Sequence, residues 1–148
     1  PTPPARPTPP APVSTPTRPV PPAAANGGLS AQVVILTNEQ RARAGCRALR
    51  VDDRITAAAQ KHSADMATHE YFSHTGRNGS SFGDRVRAEG YPSPGAENIA
   101  QGQPTASRVV EAWMNSPGHR ANILDCSLIT IGVGHDARGD YWTQDFGR

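Results

Sequence analysis

Apolar positions recur at three- and four-residue steps along much of the chain and change to alternation only near its C-terminal end. A first helix is predicted through Val33, Val34, Leu36 and Arg41, with Ser30 as its cap and Gly45 placed to stop it. A second opens at Asp52 or Asp53 and sets Ile55, Ala58, Ala59, His62, Met66 and His69 on one face, so two histidines share an otherwise apolar stripe. Residues 70–80 read as a loop by their Gly, Ser and Asn content, anchored by Tyr71 and Phe72. A short helix is predicted over Ser81 to Glu89 and ends at Gly90, while 96–101 reads as either a strand or an ordered loop. Pro104 and Thr105 open a helix that buries Ala106, Val109, Val110 and Trp113, and Ser116-Pro117 starts another carrying His119, Arg120, Asn122 and Ile123. After Cys126 the period falls to two. Leu128, Ile129, Ile131 and Val133 form a predicted strand, His135 to Asp140 the turn, and Tyr141 to Phe146 the antiparallel partner. Several helices, a C-terminal hairpin and no repeated βαβ unit predict an α+β domain with a small, mostly antiparallel sheet.

No such pattern runs through the first 22 residues, which hold eleven of the chain's fifteen prolines and almost no apolar side chains to bury. Proline fixes φ and removes backbone donors, so residues 1–28 are expected to be a disordered, extended linker and residues 29–148 the folded domain. The formal charge of +2 comes from Arg6 and Arg18 in that linker, and the domain itself is neutral. With no basic stripe and no apolar run long enough to span a bilayer, the composition argues against nucleic acid as partner and against a transmembrane segment. A chain that opens at Pro1 rather than methionine reads as a mature product whose export signal has been removed. Cys46 and Cys126, an even count with no C-x-x-C spacing, fit one disulfide formed in an oxidising compartment, the alternative being two buried thiols.

Three segments carry a resemblance: Phe72-Ser73-His74, Ala96-Glu97-Asn98-Ile99-Ala100, and Trp113 to Leu124, which reads W-M-N-S-P-G-H-R-A-N-I-L. Tyr141-Trp142-Thr143-Gln144 adds a fourth piece like an H-Y-T-Q box, and N-E-Q-R-A-R-A-G from Asn38 and H-S-A-D-M from His62 complete the series. Together they resemble the CAP superfamily of cysteine-rich secretory, antigen 5 and pathogenesis-related proteins, in its bacterial secreted branch. The resemblance implies a three-layer α-β-α sandwich, an extracellular protein that is secreted or attached to the cell envelope, and a cleft lined by histidine and glutamate. Carried over by position, His74 is the first cleft histidine and Glu97 the glutamate of the G-E-N box, although Ala96 stands where glycine is usual. Asn115 and Ser116 occupy the place of a second glutamate, and Tyr141 that of the H-Y-T-Q histidine. His119, from the S-P-G-H-R box, is the candidate to complete a different cleft, to which Tyr141 offers a hydroxyl.

Two imidazoles and a carboxylate are the ligand set of many zinc sites, so His74, Glu97 and His119 form a candidate site for zinc or another divalent cation. The competing reading is a hydrogen-bonded cluster that ties the loops together. His62, on the apolar face, reads as a core histidine, and His135 as a solvent-exposed turn residue. Serine-nucleophile chemistry lacks a G-x-S-x-G elbow, and Ser116 is explained as a helix cap. A glycosidase pair of Glu97 and Glu111 is opposed by the solvent face on which Glu111 falls. The reading that asks least is a monomeric, non-enzymatic module whose cleft binds an extracellular ligand or cation. A metal-dependent hydrolase of envelope or host polymers and a lipid or sterol carrier are the alternatives.

Overall fold

The structure is a computed structural model that describes residues 28–148. The expected linker therefore lies outside the described residues, apart from Gly28. Five helices and a four-stranded sheet follow in the order α1 (Gly28–Arg43), β1 (Arg50–Val51), α2 (Asp53–His69), α3 (Phe82–Ala88), β2 (Pro94–Gln101), α4 (Ala106–Met114), α5 (Pro117–Ile123), β3 (Thr130–Asp136) and β4 (Tyr141–Gly147). The strands are ordered β1-β3-β4-β2, with β1 parallel to β3 and the other two pairings antiparallel. The α+β class and the mostly antiparallel sheet are as expected. The parallel edge strand β1 was not predicted, because two exposed residues carry no period.

Helix starts follow local chemistry. The Asp52 carboxylate accepts the Arg54 and Ile55 amides of α2 at 2.9 and 3.4 Å, and Ser81 forms a reciprocal capping box with Asp84 at α3. Thr105 caps α4 through the Arg108 amide. Two expectations need correction. Ser30 lies inside α1, which begins two residues earlier because Leu29 also packs on the core. Ser116 stands at the cap position of α5 without a side-chain capping bond, so Pro117 at the first helical position sets that start.

Alternation along the strands sorts side chains between two faces. Ile131, Val133, Trp142 and Phe146 join Val33, Val109, Val110, Trp113 and Ile123 in the main apolar cluster, under α1, α4 and α5. The other face takes α2 and α3. There Gly132 and Gly134 admit α2 onto the sheet itself, since a Cβ at either would stand 2.2–2.6 Å from backbone atoms of Ile55, Thr56, Ala59 or Gln60. Cys46 and Cys126 form the disulfide, closing a loop of sequence separation 80.

Candidate functional site

Glu97 lies on the edge strand β2 with its side chain toward α2 and α3, only 1 % exposed. A carboxylate so buried needs donors, and it has them. His74 Nδ1, from the loop after α2, is 2.8 Å from Oε1, and Arg85 Nη2 of α3 reaches Oε1 at 3.1 Å and Oε2 at 2.9 Å. Burial pushes the Glu97 pKa up, but the hydrogen bond of His74, the neighbouring Asp145 carboxyl and the charges of Arg85 and His62 outweigh it and hold the group below its ordinary value. The imidazole of His74 is 54 % exposed, so its Nδ1 is held from behind while its far edge faces outward.

His119 arrives from α5, which is tied to β2 by its own backbone. Asn98 donates to the His119 carbonyl at 3.1 Å, and Asn122 donates to Asn98 Oδ1 at 2.8 Å and to the Glu97 carbonyl at 3.3 Å. Burial first, and then the neighbouring His74 charge, push the His119 pKa down, which favours a neutral imidazole. His74 and Glu97 are thus in contact and His119 stands within electrostatic reach of His74.

Tyr141 does not reach this cleft. In the β2–β4 register Glu97 faces Asp145, whereas Tyr141 faces Gln101, four residues or about 13 Å along the strand at 3.3 Å per residue. It packs with Met66, Ala67 and Ile99, and its hydroxyl accepts from Gln101 Nε2 at 3.0 Å. His62 is a buried core histidine with Nε2 2.7 Å from the Ser73 carbonyl, as expected. His135 is not an exposed turn residue: it lies in β3, stacked on Trp142 at 4.1 Å between ring centroids and 2.8 Å from Asp140. The aromatic neighbour across the hairpin draws the ring down.

Glu97, expected as a metal ligand, already has partners for its carboxylate. Both of its oxygens are engaged, and among the described residues no three His, Cys, Asp or Glu side chains converge as a ligand set. The arrangement instead resembles the outer-shell pattern in which a carboxylate fixes the tautomer of an imidazole and leaves its other nitrogen for a metal. Two residues that complete it, Arg85 and Asp145, were not singled out from the sequence. Arg85 gave no signal within a short helix. Asp145 did, as a carboxylate in the middle of an otherwise closed strand. A cavity of about 400 Å³ opens beside Arg85, lined also by Lys61, His62, Asp65, Arg77 and Glu89.

Known proteins share this sequence pattern and fold. The sequence model of the Cysteine-rich secretory protein family matches residues 34–146. The uncharacterized protein YkwD of Bacillus subtilis is 43 % identical over 117 residues, covering 78 % of this chain and 45 % of that protein. The uncharacterized membrane protein YlbC of the same organism is 37 % identical, covering 78 % and 33 %. The chain therefore spans less than half the length of these curated relatives. Among solved structures, an extracellular protein containing an SCP domain from Bacillus anthracis superposes with a TM-score of 0.77 at 32 % identity, covering 89 % of this chain and 45 % of that one. An outer surface protein of Borrelia burgdorferi, at a TM-score of 0.75 and 22 % identity, covers 83 % and 94 % and shares the fold.

Proposed function

Since the chain belongs to the cysteine-rich secretory protein (CAP) family, we propose that it works outside the cell, secreted or held at the envelope, as a binding module whose cleft takes a divalent cation at His74 and His119. The single observation that carries this is the chain Arg85–Glu97–His74. A buried, arginine-anchored carboxylate holds Nδ1 of a half-exposed imidazole and leaves its Nε2 for a ligand, and His119, within electrostatic reach of His74, has surroundings that favour the neutral form. Zinc is the first cation to test, because it accepts two nitrogen ligands and completes its shell with water or a bound ligand. An extracellular setting is supported by the disulfide and by the B. anthracis neighbour, which is itself described as extracellular.

The test is calorimetric titration of metal-free, untagged protein with zinc chloride. One site is expected, with affinity falling as pH drops through about 6.5 because the ligating imidazoles must be neutral. His74→Ala and His119→Ala should each weaken binding at least tenfold without changing the melting temperature by more than a few degrees. No measurable heat, or unchanged affinity in both variants, would remove the cation from this cleft.

A further inference from the structure

Asp145 is fully buried on the central strand β4, and among the described residues neither of its carboxyl oxygens has a hydrogen-bond donor. Its neighbours across the sheet explain why. On the β3 side the register places Gly132, which has no side chain and sits under the backbone of α2. On the β2 side it places Glu97 as the direct cross-strand partner, and that carboxyl is itself an acceptor. A buried carboxylate with no donor and another carboxylate beside it is not a stable arrangement, because desolvation and like charge both oppose ionisation. As a carboxylic acid, Asp145 would have a donor of its own, and Glu97 is the acceptor at hand.

The geometry points to Asp145 and Glu97 as a buried carboxyl pair sharing one proton, in which Asp145 donates to Glu97 and so fixes the carboxylate that orients His74. Asp145 is then a positioning residue for the cleft, acting through Glu97 and touching no ligand. Three donors surround Glu97 in this arrangement: the Asp145 hydroxyl, Arg85 and His74 Nδ1. Around the pair stand one arginine and two imidazoles, Arg85 from α3, His62 from α2 and His74 from the following loop, and burial together with the Glu97 charge raises the Asp145 pKa well above its ordinary value. The consequence for cation binding rests on the proposed role of His74, whereas the shared proton does not.

The experiment separates the two. In metal-free full-length protein, carbon-13 NMR of the side-chain carboxyls should show Asp145 at a carboxylic-acid position that stays flat from pH 5 to 7. The nitrogen-15 signals of His74 should report a proton on Nδ1. Asp145→Asn keeps a donor toward Glu97 and should preserve that tautomer, with zinc affinity within about threefold of the parent. Asp145→Leu fills similar volume without a donor and should mix the His74 tautomers and weaken zinc about tenfold, the size usual for outer-shell partners. An ionised Asp145 at pH 7 overturns the pair, whatever zinc does. A protonated Asp145 with an unchanged His74 tautomer in Asp145→Leu overturns the positioning role. Should zinc fail to bind at all, the tautomer signals still decide the inference. Should Asp145→Leu fail to fold, the carboxyl signal of the parent and the tautomer in Asp145→Asn still do.

Discussion

Both faces of the sheet bury polar side chains, but among the described residues the buried charged groups left without a partner all lie on one of them. Under α1, Arg41 is wholly buried, and its guanidinium donates to the carbonyls of Arg47, Ile123, Asp125 and Leu128 at 2.8–3.1 Å. On the same side Asn122, Asn98, Gln144 and Thr37 form a relay in which donors meet acceptors at 2.8–3.1 Å. Under α2 and α3, by contrast, two carboxyls face each other, Asp145 finds no donor, and Arg85 Nε is left without a partner. Native interiors satisfy nearly all their buried polar groups. The satisfied face holds the fold together, and the face with the unmet groups holds the cleft.

This division predicts where substitutions will hurt. Arg41→Met should have the largest effect, about 3–5 kcal/mol, because four carbonyls from the α1–β1 and α5–β3 connections lose their only shared donor. Denaturant unfolding measures it. A loss below about 1 kcal/mol would mean that those connections are held by something else, and the contrast between the faces would collapse.

The disulfide stands next, on the same side of the comparison. Cys46 follows α1 and Cys126 precedes β3, so the bridge pins the two connections that Arg41 also gathers. Replacing both cysteines by serine should cost about 2–4 kcal/mol, below the loop-entropy ceiling because Arg41 keeps the same segments together. Thermal melts with and without reductant should differ in the parent and coincide in the double variant.

On the cleft face the expected stability cost is smaller and the functional cost larger. Glu97→Gln preserves shape but weakens the acceptor for His74 and Arg85, so about 1–2 kcal/mol of stability is expected, alongside at least a tenfold loss of zinc affinity. Lost stability with zinc affinity unchanged would make Glu97 a structural residue like Arg41.

How far the sequence shows this division depends on the range of the signal. The starts of α2, α3 and α4, the hairpin and the apolar stripes were legible because capping and periodicity are local. So was the pairing of His74 with Glu97, through motifs that have a fixed order. Strand β1 was not, since its two residues owe their state to β3. Nor was the distance of Tyr141 from Glu97, which is set by the β2–β4 register rather than by any motif. The same register hides the meaning of Asp145 until Glu97 and Gly132 are seen on either side of it.

The smallest effect is the acid response of His62, which lies on the cleft face but is satisfied. Burial first, and then the Arg85 charge, push its pKa below the usual imidazole value, against the pull of Glu97, the Ser73 carbonyl and Asp65. The unfolded chain therefore takes a proton near pH 6.5 before the folded one does. Its contribution to stability is complete above that pH and is lost as pH falls toward the depressed folded value. His62→Gln keeps a donor that can reach the Ser73 carbonyl and has no proton to gain, so its stability should fall less steeply between pH 7 and 5.5, by under about 1 kcal/mol. His119 is also depressed and leaves a common slope in both proteins, so the difference between the two curves belongs to His62. Asp145, raised rather than lowered, contributes in the opposite sense, its share fading as pH rises through its folded value. Urea unfolding at four pH values measures the difference. Parallel curves would show that His62 takes its proton as readily folded as unfolded, and that burial against Arg85 does not govern this side of the cleft.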